Sequence, residues 1–98
     1  MRRDEIINAL LKFRDAFVAE GATALFLYGS RARGDHRTDS DVDLFVDYEP
    51  SGRFSLLNLA GVKIIADKAL GIDAHVTTRS SLSPRLRTRI EAESVRVF

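Results

Sequence analysis

An apolar run from Thr23 to Tyr28 stops at Gly29-Ser30. Ten residues later a second run starts at Asp41-Val42-Asp43 and alternates to Tyr48. No other feature constrains the fold as strongly. The first run has β-propensity without polar interruption and predicts a buried strand. The second has a period of two, so Asp41 and Asp43 share one face, about 7 Å apart, while Val42, Leu44 and Val46 face the core. Residues 30–40 carry Arg, Asp, Ser and Thr without periodicity, which predicts a loop or a loop with one helical turn.

The flanking segments supply what such a strand pair needs to bury itself. Ile6, Leu10, Phe13 and Phe17 repeat every three to four residues, predicting a helix from Asp4 or Glu5 to a C-cap at Gly21. Pro50, Ser51 and Gly52 make a turn. A second helix is expected from Phe54 or Ser55 to Leu70, capped by Gly71. Leu57, Ala60, Ile64 and Ile65 form its apolar line, and Leu56, Leu59, Lys63 and Asp67 lie along another. Ile72 to Thr78 reads as a third strand. Ser83-Pro84 supplies an N-cap and a first helical residue for a last helix to about Ser94. Val95 to Phe98 is then a tail or short edge strand. The order α-β-β-α-β-α over residues 1–98 predicts a single α/β (α+β) domain.

Composition narrows the classes. The 98 residues hold 45% hydrophobic and 30% charged side chains, as expected of a soluble globular chain with one modest core. The absence of cysteine excludes disulfides and Cys-ligated zinc, and the expected compartment is the cytoplasm. No apolar run approaches the length of a membrane span, and Arg2-Arg3 leads into Asp4-Glu5 rather than a signal-peptide core. Net charge is +1, with seven Lys/Arg against ten Asp/Glu in residues 1–50 and eight against four in residues 51–98. Arg85, Arg87 and Arg89 read as a solvated helix face, and so small a net charge argues against direct nucleic-acid binding.

The Gly-Ser turn and the two aspartates suit phosphate and a divalent cation. Gly29 lets backbone approach a phosphate, Ser30 adds a hydroxyl and an N–H, and Arg31 and Arg33 can neutralise further charge. Two carboxylates on one strand face repel each other and gain from a shared cation. Hard oxygen donors suit Mg2+, which takes its remaining ligands from water and substrate phosphates. Other motifs fail on the same residues. Gly34 is followed by Asp35-His36 rather than the Lys-Ser/Thr of a Walker loop, and three spaced glycines are absent. Asp39-x-Asp41-x-Asp43 begins like a calcium loop but has Leu44 and Pro50 where glycine and glutamate belong. The bland alternative is a solvated, Asp-rich connection between strands. In that reading His36 is a solvated loop residue, Tyr28 a packing residue and Tyr48 a strand end.

Gly-Ser, ten residues, then Asp-x-Asp resembles the signature of the polymerase-β-type nucleotidyltransferases. The surrounding Tyr28-Gly29-Ser30-Arg31-Ala32-Arg33-Gly34 and Ser40-Asp41-Val42-Asp43-Leu44-Phe45-Val46 resemble the minimal nucleotidyltransferase (MNT) proteins. The likeness extends to Leu70-Gly71 and to Leu82-Ser83-Pro84-Arg85-Leu86 through Glu93. The resemblance implies a small mixed sheet with helices on one face. It also implies ATP as substrate, Mg2+, and transfer of a nucleotidyl group to a hydroxyl with release of pyrophosphate. Gly29 and Ser30 would hold the triphosphate, and Asp41 and Asp43 the metal. MNT proteins are commonly paired with a HEPN toxin, for which they act as antitoxin, in some cases by adenylylating a tyrosine. Larger relatives add a domain that grips base and acceptor, so here the acceptor surface is expected from another molecule or a second copy, in a homo- or hetero-oligomer.

The family carries a third acid on the next strand. Counted from Leu70-Gly71, or back from Leu82-Ser83-Pro84, that position falls on His75, while Asp73 lies two residues earlier. Alternation would keep both on one face, about 6.5–7 Å apart along the strand. Three readings stay open: Asp73 serves as catalytic acid and metal ligand, His75 serves as general base or ligand, or the site transfers nothing and the chain acts by binding its partner. A nucleotide sensor within a larger complex is a weaker alternative.

Overall fold

The computed structural model describes residues 1–34 and 41–98. His36 and Asp39 of the motif loop lie outside the described residues. The elements are α1 (Arg3–Leu11), α2 (Arg14–Ala19), β1 (Ala22–Tyr28), α3 (Ser30–Arg33), β2 (Val42–Tyr48), α4 (Leu56–Leu70), β3 (Ala74–Thr78), a 3-10 turn (Arg79–Ser81), α5 (Arg87–Glu93) and β4 (Val95–Arg96). The sheet order is β3-β2-β1-β4. β1 is antiparallel to β2 and β4, and β2 is parallel to β3, so the sheet is mixed as expected.

The period-two pattern of β2 does what it predicts. Val42, Leu44 and Val46 are fully buried and join Leu25 and Leu27 of β1 in the core. Helices α1, α2 and α4 cover this face through Ile6, Leu10, Phe17, Val62, Ala66 and Leu70. The opposite face carries Asp43, Phe45 and Asp47. Phe45 is fully buried there too, stacked on Phe26 at 4.7 Å and roofed by the Arg79 guanidinium at 5.0 Å. Arg79 is fixed by Asp47 at 2.7 and 2.9 Å and by Glu91 of α5, and its already high pKa is raised first by the Asp47 hydrogen bonds. Short α5 is thereby tied to this second face.

Several boundaries depart from the periodicity. The first helix is two. Phe13 sits at φ −108°, ψ 15°, and its N–H reaches back three residues to Leu10 O rather than four. That tight turn reorients the chain so that Phe13 and Phe17 both pack on the core. β3 starts at Ala74 instead of Ile72 because its ladder begins where β2 offers a partner, at Val42. Ser83-Pro84 opens a turn, with Leu86 and Arg87 N–H on Ser83 O, and α5 follows at Arg87. Val95–Arg96 is an edge strand beside Leu27 and Phe26.

The face of α4 is the main correction. Leu57 and Ile64, expected on its buried line, are 84% and 66% exposed, while Val62, Ala66 and Leu70 are buried. Apolar residues occur all round this helix, so periodicity alone cannot choose a face. Polar contacts choose it. Asp67 accepts the Ala74 N–H at 2.8 Å, and Lys63 donates to Asp67, Asp73 and Ala74 O. Burial raises the Asp67 pKa, but the Ala74 N–H and Lys63 ammonium outweigh it and the carboxyl ends below its usual range. These bonds set the helix rotation against β3.

Urea denaturation separates the two faces. Leu57→Gln and Ile64→Gln are expected to change stability by less than about 0.5 kcal/mol each, whereas Leu44→Ala costs about 2–5 kcal/mol. Equal losses at all three positions would contradict the observed rotation.

Candidate functional site

The site grows from the pairing of Tyr28 with Asp43 across β1 and β2. That register sets the Asp43 side chain against the residue after Tyr28, which is Gly29. A Cβ on Gly29 would lie 2.6 Å from Asp43 Oδ2, closer than any real contact of that kind. Gly29 also holds φ 76°, ψ −158°, a region reserved in practice for glycine. Its carbonyl accepts the N–H groups of Ala32 and Arg33, folding Ser30–Arg33 into the single helical turn expected after the strand. The turn and the carboxylate are therefore in contact through the missing side chain.

Asp41 is exposed just before β2, and Asp43 is half-buried. Burial raises the Asp43 pKa. The His75 charge opposes this, Asp41 adds to it, and Arg33 opposes it. All three groups are thus close enough to act on one carboxylate. His75 is the register partner of Asp43 on β3, with Nδ1 3.7 Å from Oδ1 and a side chain 69% exposed. Asp73 is placed differently. It precedes β3, and its carboxylate meets Lys63 Nζ of α4 at 2.7 Å. The structure brings His75, not Asp73, against Asp43.

The arginines also divide. Arg31 is buried at 3% exposure and donates from Nη1 to Met1 O at 3.0 Å, a contact that ties α3 to the N-terminus. Arg33 is exposed and meets Glu93 of α5 at 3.1 Å, and Arg89 meets the same carboxylate at 3.2 Å. Hydrogen bonds from Arg89 and then Arg33 hold the Glu93 carboxyl below its usual range. Tyr28 is nearer the chemistry than its packing role suggested: burial, then the Asp43 charge, raises its phenol pKa. A cavity of about 400 Å3 lined by Asp47, Tyr48 and Arg79 lies toward the far end of β2 and includes none of these residues.

The donor set fits a hard divalent cation. Burial and the neighbouring Asp41 charge both raise the Asp43 pKa, and a cation held by the two carboxylates would relieve both effects. Among the described residues no group of three or more His, Cys, Asp or Glu side chains converges as a complete cage.

Comparison with known proteins covers nearly the whole chain. The nucleotidyltransferase domain profile matches residues 7–97. A putative protein adenylyltransferase of Methanocaldococcus jannaschii is 34% identical over 94 residues, covering 96% of this chain and 91% of that protein. A solved putative minimal nucleotidyltransferase superposes with TM-score 0.73 at 31% identity, over 97% of this chain and 95% of its own. A toxin–antitoxin structure with AMP-PNP matches at TM-score 0.70 over 100% of this chain and 73% of its own; at 18% identity it shows the fold alone.

Two substitutions test the geometry. Gly29→Ala should destabilise the fold by about 1–3 kcal/mol through its backbone region alone, with Asp43 displaced as well. Asp43→Asn should do the reverse at neutral pH. A carboxyl whose folded pKa is raised keeps its proton longer in the folded chain than in the unfolded one, so its contribution falls as pH rises through that window. Metal-free Asp43→Asn is therefore expected to melt higher than wild type at pH 7, by up to about 4 °C. The gap should shrink as pH drops toward the ordinary carboxylate range. A lower melting point at pH 7 would refute this electrostatic account.

Proposed function

This chain belongs to the nucleotidyltransferase domain family, and we propose that it transfers AMP from ATP to a hydroxyl on a partner protein. The observation that carries the reading is the Asp43 carboxylate seated on Gly29. It puts the Gly29-Ser30 turn beside the Asp43 carboxylate, which supports a phosphate site next to a cation site. Gly29 and Ser30 take the triphosphate oxygens. Asp41 and Asp43 are the residues that would hold Mg2+, which when bound supplies charge neutralisation and alignment. The acceptor oxygen bonds to the α-phosphorus, the bond from that phosphorus to the bridging oxygen breaks, and pyrophosphate leaves. The hydroxyl proton goes to a base. His75 is the group we assign to it, because its imidazole, the side chain that most often serves as a general base, stands 3.7 Å from Asp43. Asp73 is occupied by Lys63. Arg33 stays near Asp43 as a fixed positive charge for the phosphates.

For the acceptor we propose a tyrosine of a HEPN-type toxin, with this chain as antitoxin. Support comes from the relative named a protein adenylyltransferase and from the toxin–antitoxin complex with the same fold. One observation favours a second reading, neutralisation by binding alone: the expected third acid is replaced by an imidazole, and the nearest acid is paired with a lysine.

Labelling separates the two readings. With ATP labelled at the α-phosphate, Mg2+ and the protein encoded beside it, label is expected on that protein. Asp41→Asn and Asp43→Asn should abolish it, His75→Ala should slow it by about 100-fold or more, and Asp73→Asn should leave it near wild type. Label lost with Asp73→Asn and kept with His75→Ala would reverse the assignment of the base. Full neutralisation without label, retained by the double variant Asp41→Asn/Asp43→Asn, would establish binding alone.

A further inference from the structure

A second concavity adjoins the Gly29 turn. It measures about 260 Å3 and lies between the end of β1, at Tyr28 and Gly29, and the C-terminal helix. Leu86 and Ile90 line it one helical turn apart, linked by the Ile90 N–H to Leu86 O bond at 2.8 Å. Leu86 remains 49% exposed, an apolar side chain that the core does not use. The adjacent line of α5 adds Arg89 and Glu93, with Glu93 gripping both Arg89 and Arg33. The concavity thus has an apolar stripe beside a guanidinium held in place by a carboxylate.

That chemistry suits a heteroaromatic base with its sugar. Bases lie on apolar surface and stack on guanidinium planes, largely regardless of sequence. The volume is just below the about 300–1,000 Å3 of pockets that enclose whole ligands, which fits a ligand whose phosphates stay outside on Gly29 and Ser30. An acceptor fits less well. Asp41, Asp43 and His75 do not line this cavity, so a hydroxyl bound within it would stand apart from the groups that must receive it. A nucleoside needs no such access, because its phosphates tether it to Gly29.

We propose that the cavity between Tyr28-Gly29 and the Leu86/Ile90 stripe seats the nucleoside of the triphosphate. This rests on the triphosphate reading of the Gly29 turn given above. Leu86, Ile90 and Arg89 then supply the affinity that separates a nucleotide from bare polyphosphate.

Calorimetric titration with ATP and with inorganic tripolyphosphate, both with Mg2+, tests it. Wild type is expected to bind ATP at least about tenfold more tightly than tripolyphosphate. Leu86→Ser should weaken ATP by about five- to tenfold and leave tripolyphosphate unchanged. Half-exposed Leu86 is replaceable without unfolding, which circular dichroism checks. If wild type binds both ligands and Leu86→Ser leaves their ratio unchanged, the nucleoside seat is wrong and the triphosphate site stands. If wild type binds neither, the triphosphate reading fails and takes the seat with it. If Leu86→Ser keeps ATP affinity but loses labelling of the partner, the cavity belongs to the acceptor and the proposal is overturned.

Discussion

The register that sets Tyr28 opposite Asp43 controls the rest of the site. A slip by one residue would turn every side chain of β2 to its other face. Val42, Leu44 and Val46 would leave the core, and Asp43 would enter it. Because that alternative buries a charge and exposes three branched side chains, the hydrophobic effect fixes the position of the carboxylate. Gly29 makes the result tolerable. A Cβ there would come within 2.6 Å of Asp43 Oδ2, so any other residue would have to push the carboxylate aside. The fold and the site thus share one constraint, and neither can drift without the other.

A second anchor keeps the outer face of the sheet in order. Phe26 and Phe45 would be exposed aromatics on the face opposite the core helices. Arg79 covers both, at 4.9 and 5.0 Å, while Asp47 and Glu91 hold its guanidinium. Cation–π contact and charge-assisted hydrogen bonds act together here. This clamp ties β2 to α5, and α5 in turn supplies Glu93 to Arg33 beside the Gly29 turn. The path from Asp47 to Arg33 therefore runs through the ion pairs of Arg79 with Glu91 and of Glu93 with Arg33, joined by α5.

Much of this was legible because it depends on local chemistry. The alternation of β2, the stop at Gly29 and the cap at Gly71 follow from residue type and period. Tertiary contacts decided the rest. Nothing in the spacing of Leu57 and Ile64 shows that Lys63 and Asp67 will bind the start of β3 and rotate α4. Phe13 looks helical until the core requires it and Phe17 together. Asp73 shares the parity of His75, but parity has meaning only within a strand, and the ladder starts one residue later. The count from Leu70-Gly71 and from Leu82-Ser83-Pro84 was the usable signal, because it pointed to His75, the residue the structure sets beside Asp43. Arg79 gave no signal: it is a lone arginine until Asp47, Phe45 and Glu91 surround it.

Charge around the Gly29 turn determines what the site can hold. A third carboxylate beside Asp43 would deepen the attraction for a bare cation and also the repulsion met by a triphosphate. An imidazole there does neither to the same degree, and Lys63 cancels the acid two residues earlier. Arg33 adds positive charge within reach of Asp43. Among the described residues the balance is therefore less negative than three acids would make it, which under the proposed function suits Mg2+ brought in with the triphosphate, since that ion gives up few waters and draws its other ligands from phosphate oxygens. In the proposed reaction the hydroxyl proton would pass to the His75 imidazole beside Asp43, a side chain of the kind that most often serves as general base, while a ring nitrogen where an oxygen donor would stand weakens the hold on a hard cation.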